Sequence, residues 1–353
     1  MKILPKINES FLFTLILVFT SSYGSIVSFS SYTLVFFLTI ILFYFFKHKL
    51  KFDSFFYKFS LLFLLINIYI YVTSIQFNFY LTVYYYLKFL FAYLSIKVIG
   101  FSFFKNVVNI AYYGALISLP LFLLQLINFD VVFKIVGFVQ NNFEIFSYRN
   151  DHIANMIIYN INGNVPLRNS GFMWEPKGFA NFLLIAIFFR LYLNGLVLND
   201  KKIIVFIITI ISTFSTTGLL GLFLLLAFYF LNKNIKIMFF VFPIFLISSF
   251  FIFTNSDILY KKIKYELTLT EEYKTLLFKS DYASDTYSLG RVGSFLVDFN
   301  DFLKKPILGY GFTKENRTQS YYVKLIRVNG FSDIFTVYGL IGLFFYFYRH
   351  HVF

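Results

Sequence analysis

The sequence predicts an all-α, polytopic membrane protein with about ten transmembrane helices and two large extracytoplasmic loops. Of its 353 residues, 59% are hydrophobic and only 14% are charged, whereas about a quarter of the residues of a soluble domain are charged. The apolar residues form long runs, such as 34–46 and 59–75, which approach the roughly 20 residues that a helix needs to cross a bilayer. The alternating pattern of a membrane barrel is absent from these runs, so helices that satisfy their own backbone are expected.

The basic residues define the expected topology. We place the spans at 11–29, 32–46, 57–75, 77–96, 107–128, 175–193, 203–216, 217–231, 237–254 and 331–348. Lys and Arg in short loops mark the cytoplasmic side, and with ten spans all the short basic loops fall on that side. Both long loops, 129–174 and 255–330, then face outward, and much of the net charge of +14 is a sorting signal that needs no nucleic acid to explain it.

This topology divides the chain into five segments. They are an N-terminal five-helix membrane half at 1–128, a first outer loop at 129–174, central helices at 175–254, a large outer loop at 255–330, and a last helix with a cytoplasmic tail at 331–353. Two alternatives stay open. Residues 203–231 form either one long helix or two short helices with a turn at 215–218, and the basic, apolar N-terminus is read either as a retained span or as a signal peptide.

Several function classes are disfavoured by residues that the sequence lacks. No Asp or Glu lies in the interior of any expected span, since Glu175 and Asp333 lie at span ends, whereas coupled transporters and proton pumps usually hold ionisable groups at mid-membrane. The absence of cysteine excludes disulfides and thiol chemistry, and His152 is the only histidine in an outer loop, so no metal site is expected. No Walker loop, dinucleotide glycine motif or D-x-D pair occurs, and we therefore expect no cofactor.

The first candidate site is the segment 168–178, which leads into the sixth span. It sets Arg168, Glu175 and Lys177 beside Trp174, the only tryptophan of the chain. Pro176 suits the first position of a helix, and a helix N-terminus favours an anion through its unpaired N–H groups. The alternative is an interfacial anchor made of a tryptophan and snorkelling cations.

The second candidate site lies in the large outer loop, which holds nine of the 17 acidic and twelve of the 31 basic residues and is therefore the richest source of polar chemistry. Arg291, in the stretch 288–293, can bind a phosphate with two parallel hydrogen bonds. A Gly-rich turn follows at 306–311. The alternative is a solvated amphipathic helix at 291–304, whose wet face carries Asp298, Asp301, Lys304 and Lys305.

At these motifs the chain resembles the O-antigen polymerase and ligase superfamily, membrane glycosyltransferases that act on undecaprenyl-diphosphate-linked glycans. Four stretches carry the resemblance, in order and with the expected loop sizes, across about 165–348: 168–176, 214–218, 288–291 with 306–311, and 329–342. The ligase branch typically has a histidine before the asparagine that opens the last stretch, and here that residue is Val328, which favours the polymerase branch.

The resemblance implies a metal-independent polymerase of O-antigen, capsule or exopolysaccharide repeat units, in the bacterial inner membrane with its site facing outward. A ligase and a non-enzymatic flippase or transporter of lipid-linked sugars are the alternatives. The implied partners are a lipid-linked oligosaccharide donor and acceptor, membrane lipid, a chain-length regulator and a flippase. Because loop arginines of the family bind the diphosphate, the candidate substrate-binding residues are Arg168, Trp174, Lys177, Arg291, Arg317 and Arg327.

The candidate catalytic residues are Glu175, Arg168 and Arg291. Fixed cations stabilise the charge that develops on a leaving diphosphate, and a carboxylate can accept the proton of the attacking sugar hydroxyl. We expect Glu175 to be that base, with Asp281 and Asp285 as alternatives. A good leaving group can also make a base unnecessary.

Overall fold

The structure is a computed structural model, and it is predominantly helical. It describes residues 9–21, 31–73, 78–143, 153–156, 158–162, 167–233, 243, 268, 286–311, 317–318, 324–327 and 330–348. The helices are α1 Glu9–Ser21, α2 Ser31–Lys47, α3 Ser54–Thr73, α4 Phe79–Ile99, α5 Ser102–Ile127, α6 Phe129–Phe143, α7 Pro176–Leu193, α8 Lys201–Ser212, α9 Thr216–Lys233, α10 Gly290–Lys304 and α11 Gly330–Tyr348. Short strands form two ladders, β1 Ile153–Asn155 with β2 Asn160–Asn162 and β3 Thr286–Ser288 with β4 Lys324–Ile326.

Among the described residues, four helices are long and apolar enough to cross a membrane, which confirms the predicted helical fold and is consistent with a membrane protein. They comprise Ser54–Val72, Phe79–Ile99, Ser102–Ile127 and Pro176–Leu193. Shorter apolar helices cover Glu9–Thr20, Tyr32–Lys47, Thr216–Leu231 and Ser332–Ile341. The expected span 237–254 lies outside the described residues except for residue 243. The count of ten spans and the sidedness of the loops stay predictions.

The chain forms two compact units. Unit 1 comprises Met1–Lys51 and Leu87–Phe245, and unit 2 comprises Phe52–Tyr86 and Leu246–Phe353. In unit 1, α5 and α7 pack against each other and against α1, α8 and α9. The core between these helices is large and apolar, with buried side chains that include Val108, Ala111, Ala115, Phe179, Leu183, Ile187, Ile203, Phe206 and Ile210.

The loop between α7 and α8 is fixed by Asp200. Its Oδ2 accepts hydrogen bonds from Arg190 Nε at 2.9 Å and from Asn194 Nδ2 at 2.8 Å, while its Oδ1 caps α8 by accepting from the Lys202 N–H. Burial alone raises the pKa of this carboxyl, but the hydrogen bonds outweigh burial and hold the pKa below its ordinary value. The start of α8 therefore lies beside the end of α7, and the two helices run antiparallel.

Residues 203–231 form two helices, α8 and α9, rather than one. The chain reverses at Thr213–Ser215, slightly earlier than the expected turn at 215–218. A Cβ at Gly218 would lie 2.5 Å from Ala180 Cβ, and one at Gly221 would lie 2.4 Å from Leu184 Cδ1. The earlier glycine of α9 lies against the earlier residue of α7 and the later glycine against the later residue, so α9 runs parallel to α7. Since α7 and α8 are antiparallel, α9 is also antiparallel to α8. The single-helix alternative is wrong.

The segment 129–174 contains regular structure that the sequence analysis treated as a loop. Helix α6 buries Val132 and Val136 against Tyr159 and Ile161, on the β1–β2 side. The Tyr159 hydroxyl donates to Gln125 Oε1 at 2.7 Å, and burial raises the pKa of this phenol. The helical spacing of the apolar residues in 129–136 was the signal for this helix.

Candidate functional site

The segment 168–175 in unit 1 is a hydrogen-bonded connection whose central residues, 169–173, are buried. Asn169 is fully buried, and its Nδ2 donates to Ser212 Oγ at 3.0 Å and Ser118 Oγ at 3.3 Å. Its Oδ1 accepts from the Gly171 N–H at 2.9 Å. Asn169 thereby links the start of α7 to α5 and α8, a role that the sequence analysis did not recognise.

Arg168 caps the C-terminal end of α8. Its Nε donates to the Thr213 carbonyl at 3.1 Å, and its NH2 group donates to the Phe214 carbonyl at 2.8 Å. A cation at this end of a helix interacts favourably with the helix dipole and with carbonyls that have no partner within the helix. Phe214 has a φ of 45°, the left-handed conformation common just after a helix, although a bulky residue is strained there. Arg168 therefore stabilises the tight turn between α8 and α9.

The other candidate residues of unit 1 lie at the start of α7. Pro176 is the first helical residue, as expected, and Glu175 is the residue before it. Glu175 is exposed, and its side chain makes no capping hydrogen bond to the helix N-terminus. Trp174 and Lys177 are half-buried on either side of it. The structure thus brings Arg168, Trp174, Glu175 and Lys177 into one unit.

In unit 2 the face of α10 that carries Asp298 and Asp301 is buried, so the expected solvated face is wrong for both residues. Both side chains are 0% exposed. Arg327 NH1 donates to Asp298 Oδ1 at 2.6 Å, and its NH2 donates to Asp301 Oδ2 at 2.8 Å. Burying a carboxylate without a partner is strongly unfavourable, so Arg327 explains why these acids face inward. Lys304 remains exposed, as the solvated helix predicted.

The β3–β4 ladder delivers Arg327 to this position. The two strands are parallel, with Ser288 paired to Ile326, so α10 starts next to the residue that follows β4. Leu289, Val297 and Leu325 form a small apolar core where α10 meets the β3–β4 ladder. Polar groups from Thr318 and Ser332 complete the shell of the carboxylates, with Thr318 N–H donating to Asp301 Oδ2 at 3.0 Å and Ser332 Oγ donating to Asp298 Oδ2 at 2.6 Å.

The three candidate arginines of unit 2 differ in environment. Arg317 is buried and forms an ion pair with Asp333, while its NH2 lies 3.4 Å from the Gly311 carbonyl oxygen. Arg327 is held by the two carboxylates of α10. Arg291, in the first turn of the same helix, is exposed. Of these three, Arg291 has the environment best suited to an external anion.

The turn 306–311 docks onto a break in α11. Gly339 has a φ of 59°, which interrupts the helix, and the turn replaces the lost helical hydrogen bonds. The N–H groups of Tyr310 and Gly311 donate to the carbonyls of Thr336 and Val337 at 2.8 and 3.0 Å. In return, the N–H groups of Leu340 and Ile341 donate to the carbonyls of Pro306 and Ile307 at 2.7 and 3.2 Å. The Gly-rich turn is therefore a structural support of the last helix.

Other expectations fall on residues outside the described ranges, namely His152, Asp281, Asp285, Val328 and the asparagine at 329. Within the described ranges, no group of three or more His, Asp or Glu side chains is arranged to hold a metal ion. The arginines of unit 2 were named from the sequence, but Asp298 and Asp301 were assigned to a solvated face rather than to Arg327, and Asp333 was not recognised as the partner of Arg317. The spacing of Asp298 and Asp301 by one helical turn was the available signal.

Comparison with known proteins gave no match to a family, to a curated protein or to a solved structure.

Proposed function

We propose that this chain is a metal-independent membrane glycosyltransferase that joins undecaprenyl-diphosphate-linked repeat units into O-antigen, capsule or exopolysaccharide. The observation that carries the proposal is the environment of Arg291, an exposed cation in the first turn of α10. Ion pairs with Arg327 hold the buried face of this helix in place. The apolar helices support a membrane location. An inner-membrane site facing outward is part of the proposal.

In the proposed reaction, a sugar hydroxyl of one lipid-linked unit attacks the anomeric carbon of another, and undecaprenyl diphosphate leaves with inversion at that carbon. The bond between the anomeric carbon and a phosphate oxygen breaks, and negative charge grows on that oxygen. A guanidinium that is already in position stabilises this charge more in the transition state than in the ground state. Arg291 supplies that group in the proposal, assisted by the N–H groups at the start of α10.

The contacts refine the roles proposed for the other arginines. Arg168 binds the carbonyls after α8, and Arg317 and Arg327 bind carboxylates of unit 2, so each also holds structure in place. We propose that Arg327 acts as a positioning residue, because it fixes the helix that carries Arg291. Direct contact of Arg168, Trp174, Lys177, Arg317 and Arg327 with the diphosphate-linked substrate stays a prediction.

Glu175 is the proposed general base. Its exposed carboxylate lies before α7 and makes no capping hydrogen bond, which weakens the explanation that it serves only to start the helix. A carboxylate near the membrane surface is suitably placed to accept a proton from a sugar hydroxyl. The proposal requires that it be ionised when the acceptor binds.

A transporter of the same lipid-linked sugar is the second candidate, and the break in α11 favours it, since transporters often build their sites from discontinuous helices. However, two N–H groups and two carbonyls on α11 around this break bond to the turn 306–311, which occupies groups that a transporter would turn toward its cargo.

Deletion of the gene distinguishes the alternatives. Single repeat units on the surface or on the carrier lipid are expected for a polymerase. Long chains that remain unattached would instead indicate a ligase, and lipid-linked units trapped inside the cell would indicate a flippase.

Substitution of Arg291 tests whether its guanidinium group binds the diphosphate. We expect Arg291→Lys to reduce chain length almost as severely as Arg291→Ala, because a lysine cannot form the planar pair of hydrogen bonds to a phosphate. Lys304→Ala, at an exposed site on the same helix, is the matched control and should retain polymer. Glycan length on gels is the measurement. Full-length polymer in the Arg291→Lys variant would contradict the role in diphosphate binding.

A further inference from the structure

Helix α10 presents an apolar stripe on its exposed side. The stripe consists of Val292, Phe295, Leu296, Phe299 and Leu303, whose exposed fractions range from 41% to 59%. Their spacing of three and four residues places them along one face of the helix. The rings of Phe295 and Phe299 stack at 6.0 Å between centroids, so the stripe is a continuous surface.

The polarity of this helix is opposite to that of a helix on the surface of an aqueous domain. Its buried face carries Ser294, Asp298 and Asp301 beside Val297, and its exposed face carries the large apolar side chains together with Asn300. A water-exposed helix normally buries its apolar residues and leaves its acids in solvent. The environment outside α10 is therefore expected to be apolar.

The stripe lies beside a short apolar helix within unit 2. Ile307, just after α10, is 60% exposed, and Leu340 of the apolar helix α11 is 52% exposed. The backbone joins these two positions, since the Leu340 N–H donates to the Pro306 carbonyl. Exposed cations lie toward both ends of the stripe, Arg291 at the start of α10 and Lys304 at its end. Apolar side chains flanked by cations match the layering of a membrane with anionic headgroups.

We propose that α10 is an interfacial membrane helix, with its apolar stripe among the acyl chains of the bilayer and with Arg291 and Lys304 at the level of the headgroups. The helix lies in the segment for which the sequence predicts an aqueous outer loop. The proposal rests on the polarity of unit 2 alone and does not depend on glycosyl transfer. The bilayer is the occupant, rather than another protein, because exposed apolar side chains adjoin the stripe at Ile307 and at Leu340 of the apolar helix α11, and because exposed cations flank it at both ends.

Spin labels test this position directly, because the chain has no native cysteine. Single cysteines replace Leu296 and Phe299 on the stripe, and Asn199, an exposed residue between α7 and α8, serves as the aqueous control. The labelled full-length protein is reconstituted in vesicles of phosphatidylethanolamine and phosphatidylglycerol. Collision rates are measured with oxygen, which concentrates in hydrocarbon, and with a neutral nickel chelate, which concentrates in water.

We expect the ratio of oxygen to nickel accessibility to be several-fold higher at 296 and 299 than at 199. All three substituted side chains are exposed, so the variants should fold like the parent chain. Equal ratios at the three positions would place the stripe in water and overturn the proposal. Protection of 296 and 299 from both reagents would also overturn it, since protein rather than lipid would then cover the stripe.

Discussion

At the scale of single residues, Arg327 is the arginine whose removal should most affect folding. Its side chain is 7% exposed and pairs with two carboxylates that are 0% exposed. Removing one partner from a buried ion pair leaves uncompensated charge and lowers the free energy of unfolding by about 3–5 kcal/mol. We expect a loss of this size for Arg327→Ala in detergent, measured by denaturant titration.

A second variant separates buried charge from lost packing. Adding Asp298→Asn and Asp301→Asn to an Arg327→Gln chain removes all three charges together. This triple variant should therefore be more stable than Arg327→Gln alone. Lys304→Ala removes an exposed cation whose Nζ lies 3.9 Å from Asp301 Oδ1, and so long a contact from a solvated side chain should contribute no more than about 0–1 kcal/mol. An Arg327→Ala chain as stable as Lys304→Ala would show that the buried pairs do not hold α10 in place.

Glu175 carries the prediction about proton transfer. Glu175→Gln keeps the size of the side chain and removes the proton acceptor, so we expect a protein that inserts normally but makes only single repeat units. Membrane abundance and glycan length on gels are the two measurements. Wild-type chain lengths would reduce Glu175 to a residue that precedes α7, and the reaction would then use another base or none.

At the scale of elements, the last helix depends on the turn docked against its break. A Cβ at Gly339 would lie 2.4 Å from the Ile307 carbonyl oxygen, and a φ of 59° is unfavourable for any residue with a Cβ. Gly339→Ala should therefore lower the free energy of unfolding by more than the roughly 1–3 kcal/mol of backbone strain alone, because the hydrogen bonds to 306–311 are also disturbed.

The matched control is Gly137→Ala in α6, where an added Cβ meets nothing within 4 Å. Alanine is preferred over glycine in a helix by about 0.5–1 kcal/mol, so this variant should be neutral or slightly stabilised. Thermal unfolding in detergent measures both variants. Equal melting temperatures for the Gly339 and Gly137 variants would mean that the break in α11 tolerates a side chain and that the docked turn is not essential.

At the scale of the whole molecule, the distribution of basic residues predicts cytoplasmic termini and two outward loops. Single cysteines at Asn199 and at Ser280, which lies outside the described residues, can be labelled in intact cells with an impermeant maleimide. We expect labelling at 280 and protection at 199, with both sites labelled after the cells are opened. The reverse pattern in intact cells would overturn the predicted orientation.

Within the described residues, the sequence by itself determined most of the apolar helices, though it missed α6, and it placed the separation of α8 from α9 to within a few residues. These features are local: a long apolar run must bond its own backbone in lipid, and the Ser and Thr residues near 215 compete for that bonding. The start of α7 at Pro176 was also predictable, because proline suits the first position of a helix. The sequence likewise named all the candidate arginines.

Only the tertiary structure decided how those arginines are used. The orientation of α10 depends on Arg327, which is 29 residues from Asp298 along the chain, and without that partner the acids would face water. The break in α11 depends on hydrogen bonds from the turn 306–311, and the cap on α8 depends on Arg168, 45 residues before Thr213. Local sequence patterns indicate which residues prefer lipid or water. The pairing of buried charges and backbone groups instead depends on residues that are far apart along the chain. That pairing turns the acids of α10 inward and leaves its apolar residues outside.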